Sequence, residues 1–300
     1  MTAAGLPAWD GRDLAELLRL EPTGPMRFRN RLGDANEHGR AYGGQLLAGA
    51  ATAAAATVPE GRMLTVLQML FLQGALHDRP IDFEVAALQD GRHFSSRHVR
   101  GSQGGARLVL DAQVSFAVPM AAPDHMAPPD PPSTMAEDPD TMARLCDLPA
   151  GWGEGLRRAV GYTFDVKEAL DFRLPDAAPS LHLELPEPRI RFWLKVRHEL
   201  PEDVHLHAAA FAYLSDWWLN FPSVGGHLPR LAAGESLYVA SLNHAIWLHR
   251  PLRADAWLHF DCISPSAAAG RSLSVARVHD RAGRLVASAT QESLLAPAHG

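Results

Sequence analysis

Three polar side chains in the second half of the chain carry groups that can hold and activate a water molecule. They are Asp216, Ser241 and Gln291. An ionised carboxylate can accept a proton, a hydroxyl can donate and accept, and a glutamine amide does both at once. Taken alone, each residue type has an ordinary structural role: a helix N-cap, a small polar residue at the start of a strand, and an exposed strand residue. The residue types alone therefore do not settle the chemistry.

Histidine and cysteine spacing argues against a metal site. His244 and His249 stand five residues apart, and on a strand this spacing directs their side chains to opposite faces. No other Cys/His cluster has zinc spacing, and no Gly-x-Ser-x-Gly elbow occurs. Two cysteines, Cys146 and Cys262, are too few for a disulfide framework and indicate a reducing compartment. We therefore expect chemistry without a metal or another cofactor.

Composition narrows the class of protein further. The 300 residues carry a formal net charge of -6, which argues against nucleic acid as the main partner because phosphate binding needs a basic face. No apolar run approaches the roughly 20 residues of a membrane helix, so we expect no membrane insertion. The first ten residues lack the pattern of a secretory signal. We expect a soluble, cytoplasmic protein.

The element that must position any site in the first half is an apolar helix. Gly43 to Val58 is rich in alanine and leucine, and Pro59 ends it. Its polar side chains are few, so the helix has no polar face and is expected to be enclosed. Four segments after it alternate or are rich in Val, Phe and Leu, and short glycine turns separate them: 63–76, 81–89, 92–100 and 107–118. They predict antiparallel strands wrapped around a buried helix.

An internal repeat predicts that this unit occurs twice. Gly91-Arg92 followed by Arg107-Leu108-Val109 has its counterpart in Gly270-Arg271 followed by Arg284-Leu285-Val286. We therefore divide the chain into a first unit at 1–119, a Pro-rich linker with short helices at 120–185, and a second unit at 186–300. The second unit's buried helix is predicted at 215–224, and short helical pieces are predicted at 141–148 and 155–160.

This duplicated α+β unit resembles the hot-dog fold, and the whole chain resembles the double hot-dog acyl-CoA thioesterase II family. The first unit carries the resemblance in Tyr42-Gly43-Gly44-Gln45 and Asp90-Gly91. The second carries it in Tyr213-Leu214-Ser215-Asp216-Trp217, in Asn243-His244 with Trp247-Leu248-His249-Arg250-Pro251, and in Ser288-Ala289-Thr290-Gln291-Glu292. The resemblance implies two tandem hot-dog units, each a long antiparallel sheet wrapped around a central helix.

The resemblance also implies a reaction, the hydrolysis of fatty acyl-CoA by an activated water. The water would be held by Asp216, Ser241 and Gln291. Ser241 stands where the family often has threonine, and Asn243, where it often has aspartate, is left out of the set. We place Asp216 at the start of the second helix, where the macrodipole would stabilise its charge. Backbone N–H groups near Trp217 or near Gly43 and Gly44 would hold the oxyanion.

Strand alternation gives a second positional expectation: Ser241 and Asn243 share one face, and Leu242 and His244 the other.

The first unit has Val114 where the second has Gln291, and we predict that the first unit is catalytically silent and forms part of the acyl tunnel. Candidates to hold the phosphates of coenzyme A are Arg27, Arg29, Arg97 and Arg271. Family members associate through their sheets, so a homodimer or larger homo-oligomer is expected.

Two other functions remain open at this point. A hydratase on the same fold is suggested by Gly33-Asp34-Ala35-Asn36-Glu37-His38, which resembles the aspartate-histidine loop of hot-dog enoyl-CoA hydratases but is one residue short. A non-catalytic acyl-CoA binding protein is suggested by the residue changes at Ser241 and Asn243. Hydration of a double bond would identify the first, and ligand-induced stabilisation without turnover would identify the second.

Overall fold

The computed structural model describes residues 5–36, 38–130, 135–149, 151–154, 167–175, 177–185, 187–232 and 235–298. Its helices are α1 (Leu14–Leu17), α2 (Gly43–Ala55), α3 (Ala177–Leu181), α4 (Val204–Ser215) and α5 (Phe221–Gly225). Its strands are β1 (Leu20–Gly24), β2 (Arg27–Asn30), β3 (Met63–Phe71), β4 (Asp82–Asp90), β5 (Phe94–Gln103), β6 (Arg107–Ala117), β7 (Leu170–Arg173), β8 (Arg189–Val196), β9 (Leu237–Leu248), β10 (Leu258–Ala268), β11 (Arg271–Asp280) and β12 (Leu285–Pro297).

The twelve strands form one antiparallel sheet in the order β1-β2-β4-β5-β6-β3-β9-β12-β11-β10-β8-β7. The two halves join at its centre, where Val66–Leu70 of β3 pairs with Trp247–Asn243 of β9. The four strand segments predicted in the first half are confirmed as β3 to β6, with ends shifted by a few residues. Each half wraps a central helix, so the predicted α+β class with two tandem hot-dog units is confirmed.

The enclosed first helix is also confirmed. Helix α2 runs from Gly43 to Ala55, three residues short of the predicted end, and most of its side chains are buried. Gln45, its polar exception, accepts from the Asp34 N–H and donates to the Leu32 carbonyl. Those bonds satisfy a buried amide that would otherwise be costly. An alanine-rich helix can be surrounded by sheet because it is slim on every side.

The second central helix lies upstream of its predicted position, so that prediction was wrong. Helix α4 begins after Asp203, whose carboxylate accepts from the N–H groups of His205 and Leu206, and it ends at Ser215. It cannot continue through 215–224 because Trp218 adopts φ 56°, a left-handed conformation. The shorter helix α5 starts only at Phe221. The N-cap at Asp203 was the signal that the sequence offered.

The region at 120–185 contains more than a linker. Short 3₁₀ turns occur at Pro139–Thr141 and Leu145–Asp147, while the helical piece predicted at 155–160 lies outside the described residues. Strand β7 falls within the same region and pairs with β8 at the edge of the sheet. The division at 119 and 185 stays a prediction. Within the described ranges, no helix is long and apolar enough to cross a membrane.

Candidate active site

Asp216 lies at the C-terminal end of a helix, which corrects its predicted placement at a helix start. It caps α4 with φ -83° and ψ -8°. The N-terminus that faces its carboxylate belongs to α2: a Cβ atom on Gly43 would stand 2.5 Å from Asp216 Oδ2, and one on Gly44 would stand 2.4 Å from the Tyr213 carbonyl oxygen. The two glycines therefore let the helix ends meet. The helix macrodipole that we expected to stabilise the Asp216 charge is therefore that of α2 in the first unit.

The three predicted water-holding residues come together in one hydrogen-bonded cluster. Gln291 on β12 is buried, and its amide nitrogen donates to Asp216 Oδ1 at 2.8 Å and to Ser241 Oγ at 2.7 Å. An ionised carboxylate only accepts, so the amide nitrogen rather than the oxygen must face Asp216. Both amide hydrogens are thereby used. Gln291 Oε1 is left as a buried acceptor without a partner among the described residues.

A β-bulge brings Ser241 to this cluster and corrects the predicted alternation along β9. Opposite β12, Asn243 pairs with Glu292 but Ser241 pairs with Ser293, so Leu242 is an extra residue. One extra residue reverses the faces beyond it. Ser241 therefore shares a face with His244, and Asn243 does not. Asn243 instead donates to Glu292 Oε2 at 2.8 Å, away from the cluster.

His244 and Ser215 belong to the same cluster and were missed. His244 is fully buried, with Nε2 3.0 Å from Ser215 Oγ and Nδ1 3.6 Å from Asp216 Oδ1. His249, by contrast, contacts Ser288 Oγ at 2.9 Å near the surface. The available signal was a serine beside an aspartate at the end of an apolar helix and a histidine that alternates along the sequence with the apolar Leu242, Ile246 and Leu248.

The cluster opens into a cavity of about 920 Å³ between the two units. The cavity is bounded by the start of α2, the end of β3, the residues after α4 and the outer half of β9. Its polar lining includes Asp216, Ser241 and Gln291 from the cluster, and Arg40 and Lys167 from loops. A cavity of this volume holds a small molecule or part of a larger one.

A second polar cluster lies beside the cavity, which one of its members, Lys167, lines. Lys167 Nζ binds Asp34 Oδ2 and contacts the Tyr213 hydroxyl at 3.0 Å, and that hydroxyl donates to Asp34 at 2.8 Å. Burial, followed by the nearby Asp34 charge, raises the pKa of Tyr213 well above its ordinary value. The phenol therefore stays protonated and holds α4 against the loop before α2. Sequence reasoning did not connect these residues because they lie far apart in the chain.

The four arginines suggested as phosphate ligands do not line the cavity. Arg97 is buried and binds Asp90 and Thr57. The other three are paired with carboxylates on the sheet surface: Arg27 with Glu84, Arg29 with Asp82, and Arg271 with Glu292. The sequence could not show which arginines border a cavity. Arg40, which was not among the four, does line it.

The loop that suggested a hydratase does not place its two residues in one site. Asp34 is buried and bound to Lys167 and Tyr213, whereas His38 is exposed. A hydratase needs its acid and base to reach one substrate carbon pair. The arrangement of Asp34 and His38 therefore does not favour hydration.

Comparisons with known proteins identify the family to which the chain belongs. Residues 33–117 match the model of the acyl-CoA thioesterase N-terminal domain, and residues 128–295 match that of the C-terminal domain. The chain is 28% identical to acyl-CoA thioesterase 2 of Haemophilus influenzae, over 94% of this chain and 96% of the relative. It is 27% identical to acyl-coenzyme A thioesterase 8 of Mus musculus, over 94% of this chain and 88% of the relative.

The comparison of structures gives the same result. The crystal structure of an acyl-CoA thioesterase II from Mycobacterium marinum matches with a TM-score of 0.75 and 28% identity, over 94% of this chain and 98% of that one. These relatives do not favour a hydratase or a non-catalytic binding protein. The C-terminal domain model alone covers more than half of the sequence, and the chain belongs to the acyl-CoA thioesterase family.

Proposed function

We propose that this protein hydrolyses acyl-CoA thioesters to a carboxylic acid and coenzyme A, with a water molecule activated by Asp216, Ser241 and Gln291. One observation carries the assignment of these residues: the Gln291 amide donates at once to the Asp216 carboxylate and the Ser241 hydroxyl. A single side chain thus fixes a base and a hydroxyl beside one cavity. Family membership supports the reaction class, and the cluster supports the site.

The cluster has hydrogen-bond donors and acceptors left over that can bind a water molecule. Ser241 accepts from Gln291, so its own hydrogen is available to donate to the water oxygen. Gln291 Oε1 can accept one water hydrogen, and Asp216 can accept the other. The water would attack the thioester carbonyl carbon as its proton passes to Asp216. The C–S bond then breaks, and the proton goes to the departing thiolate.

The developing oxyanion needs donors that are fixed before the reaction begins. The first N–H groups of a helix lack intrahelical acceptors, and Gly43 and Gly44 supply these groups in α2. Gly43 borders the Asp216 carboxylate, and Gly44 borders the Tyr213 carbonyl three residues earlier. Of the two donor sets left open by the sequence, we choose this one. The first unit would then contribute backbone donors and the second unit the side chains.

The coenzyme A portion would extend through the cavity toward the loop before α2. Arg40 lines that end of the cavity and is exposed. Its guanidinium can bind phosphate oxygens through two N–H groups at once. We also propose that the protein acts in the cytoplasm as a homodimer or larger homo-oligomer. Light scattering of the purified chain tests the assembly, and a sharp monomer contradicts it.

The experiment that tests the function is release of free thiol from a panel of acyl-CoAs of short to long chain. Wild type is compared with Gln291→Ala, and with Gln113→Ala as the control, because Gln113 is an exposed strand glutamine of the first unit. We expect turnover in wild type and in the control, and collapse in Gln291→Ala. No release by folded wild type would contradict the proposal, as would full turnover in Gln291→Ala.

A further inference from the structure

We propose that His244 is a positioning residue that faces the Asp216 carboxylate and shares the proton that Asp216 takes from water. This inference rests on the proposed function. His244 is fully buried on β9, and its two ring nitrogens face two successive residues at the end of α4, Ser215 and Asp216. Nε2 meets Ser215 Oγ at 3.0 Å, and Nδ1 faces Asp216 Oδ1 at 3.6 Å. The ring thus ties the helix end to the sheet.

Counting hydrogens fixes the tautomer of the ring. Ser215 Oγ also lies 2.9 Å from the Ala212 carbonyl oxygen. A carbonyl oxygen only accepts, so the one hydroxyl hydrogen of Ser215 goes to Ala212. Ser215 Oγ must then accept from His244, which places the imidazole hydrogen on Nε2. In neutral His244, Nδ1 is consequently a bare acceptor.

That bare acceptor faces a second acceptor. Nδ1 has no hydrogen-bond partner in the described part of the chain, and 3.6 Å is too long for a hydrogen bond to Asp216 Oδ1. Two buried acceptors opposite each other are unfavourable, because neither has a donor to replace the water it has lost. A proton placed between them would satisfy both. The resting site is therefore built to receive one proton at this point.

The environment of the ring leaves Asp216 as its charged neighbour. On the adjoining strands, His244 stands opposite Gln291 of β12 and Met69 of β3, both uncharged. Gln291 donates to the same Asp216 Oδ1. This carboxylate oxygen therefore has an amide donor and a ring acceptor as neighbours. Of the described contacts to the ring, only Asp216 can exchange a proton with it.

The reaction balances without a further reagent. As the water oxygen bonds to the thioester carbon, its proton passes to Asp216 and is then shared between Oδ1 and His244 Nδ1. When the tetrahedral intermediate collapses, the C–S bond breaks and the proton returns through Asp216 to the thiolate sulfur. The imidazole ends in the tautomer in which it began. His244 therefore makes Asp216 a better acceptor without touching the substrate.

Two variants separate this role from simple packing. In His244→Gln, the amide can still donate to Ser215 but offers no acceptor at the Nδ1 position. In Ser215→Ala, the acceptor that fixes the tautomer is lost. Ser223→Ala is the matched control, because Ser223 likewise donates to the carbonyl three residues earlier and has a second partner, Ser272. Circular dichroism and thermal melting establish that each variant is folded.

Thiol-release kinetics and ¹⁵N spectroscopy give the readouts. We expect His244→Gln to lower kcat about 100-fold with KM within about twofold. Ser215→Ala should lower kcat less, and Ser223→Ala should not. Difference spectra against His244→Gln should show the wild-type ring protonated at Nε2, and Ser215→Ala should lose this signature.

The outcomes distinguish the two proposals. Unchanged kcat in folded His244→Gln, with collapse in Gln291→Ala, would overturn the role of His244 and leave the proposed function standing. A resting ring protonated at Nδ1 would also overturn it. No thiol release by folded wild type would overturn the proposed function and the role of His244 together.

Discussion

The two hot-dog units share a backbone but differ in the side chains at corresponding positions. In the first unit Leu67 pairs with Val114 across β3 and β6, and in the second His244 pairs with Gln291 across β9 and β12. Each unit has a bulge at the same place, Thr65 in β3 and Leu242 in β9. The corresponding sets are Leu64, Leu67, Val114 and the α2 cap Ala56 in the first unit, and Ser241, His244, Gln291 and the α4 cap Asp216 in the second.

This difference shows that the bulge is a property of the fold and not of the site. In the first unit it places a buried leucine, Leu64, in the core. In the second unit the same backbone places a serine beside a glutamine. Buried polar groups are tolerated there because each bonds another. At these four corresponding positions, the first unit, which we predict to be catalytically silent, and the proposed active unit carry different side chains on the same backbone scaffold.

The largest expected effect comes from removing the carboxylate charge of Asp216, whose counterpart in the first unit is Ala56. Asp216→Asn keeps the shape of the side chain but removes the proton acceptor. We expect kcat to fall on the order of 10³-fold, because general base catalysis contributes about 10²–10⁴-fold. The thiol-release assay measures it. Asp111→Asn, which alters a half-exposed carboxylate of the first unit, should leave kcat unchanged; a comparable loss there would contradict the division of roles.

The outer faces of the two units differ as well, and this difference predicts a pH effect. Glu84 stands opposite Arg100 in the exposed hairpin of β4 and β5. In the corresponding hairpin of β10 and β11, His259 stands opposite His279, both buried. Burial, with His279 and nearby arginines adding to it, lowers the pKa of His259 to about 4. The Asp261 charge opposes this shift only in part.

The sign of this pH effect on stability follows from the pKa of His259 in the folded and the unfolded chain. An unfolded histidine titrates near 6.5 and folded His259 near 4, so protons bind the unfolded chain first. Stability is full above pH 6.5 and declines by about 3 kcal/mol as the pH falls toward 4. In urea unfolding at several pH values, His259→Leu should flatten this decline. His125→Gln, on the exposed linker, should not. An unchanged decline in His259→Leu would contradict the prediction.

Sequence reasoning predicted the fold, and it named three residues, Asp216, Ser241 and Gln291, that the structure brings into one hydrogen-bonded cluster. It could do so because repeats and local motifs can be recognised in the sequence itself. It failed where position depends on three-dimensional pairing. Asp216 was assigned to a helix start because its own motif does not reveal that α2, from the other unit, supplies the facing N-terminus. Strand alternation misplaced Ser241 because the extra residue of a bulge is visible only against the partner strand. His244 was missed for the same reason.

A glutamine placed at the corresponding position of the first unit should lower stability without affecting catalysis. Val114→Gln puts the residue type of Gln291 between Leu67 of β3 and Arg97 of β5. The buried Arg97 guanidinium is already bonded to Thr57, to the Gln89 carbonyl and to Asp90, so the new amide gains no partner there. An unpaired buried amide costs about 1–3 kcal/mol. Urea unfolding should therefore show a loss of about 2 kcal/mol, while kcat of the folded protein stays unchanged. Full stability in this variant would mean that the first unit tolerates a buried glutamine at this position.

Adding one methyl group to α2 should affect either activity or stability, depending on which unit it meets. Gly43→Ala directs a Cβ to 2.5 Å from Asp216 Oδ2, whereas Gly49→Ala directs one to 2.4 Å from the Phe83 ring of the first unit. We expect kcat about tenfold lower in the first variant, because misplaced catalytic groups lose rate steeply. The second should mainly lower the melting temperature.

Gly226→Ala is the matched control for both glycine variants. Its Cβ would meet nothing within 4 Å, and its φ of -68° suits any residue. Activity and melting temperature should match wild type. If Gly43→Ala kept full kcat with a lowered melting temperature, the contact between α2 and Asp216 would be structural only, and the contribution of the first unit to catalysis would be lost.

The smallest expected effect concerns a contribution of the first unit to binding. Arg40 borders the cavity, whereas Arg27 is paired with Glu84 on the sheet surface. Arg40→Ala should raise KM for acyl-CoA about fivefold with kcat unchanged, since an exposed charge–phosphate contact contributes on the order of 1 kcal/mol. The effect should shrink at high salt. Arg27→Ala should leave KM unchanged. The reverse result would place coenzyme A on the sheet face and make Arg27, one of the arginines first suggested as phosphate ligands, a ligand.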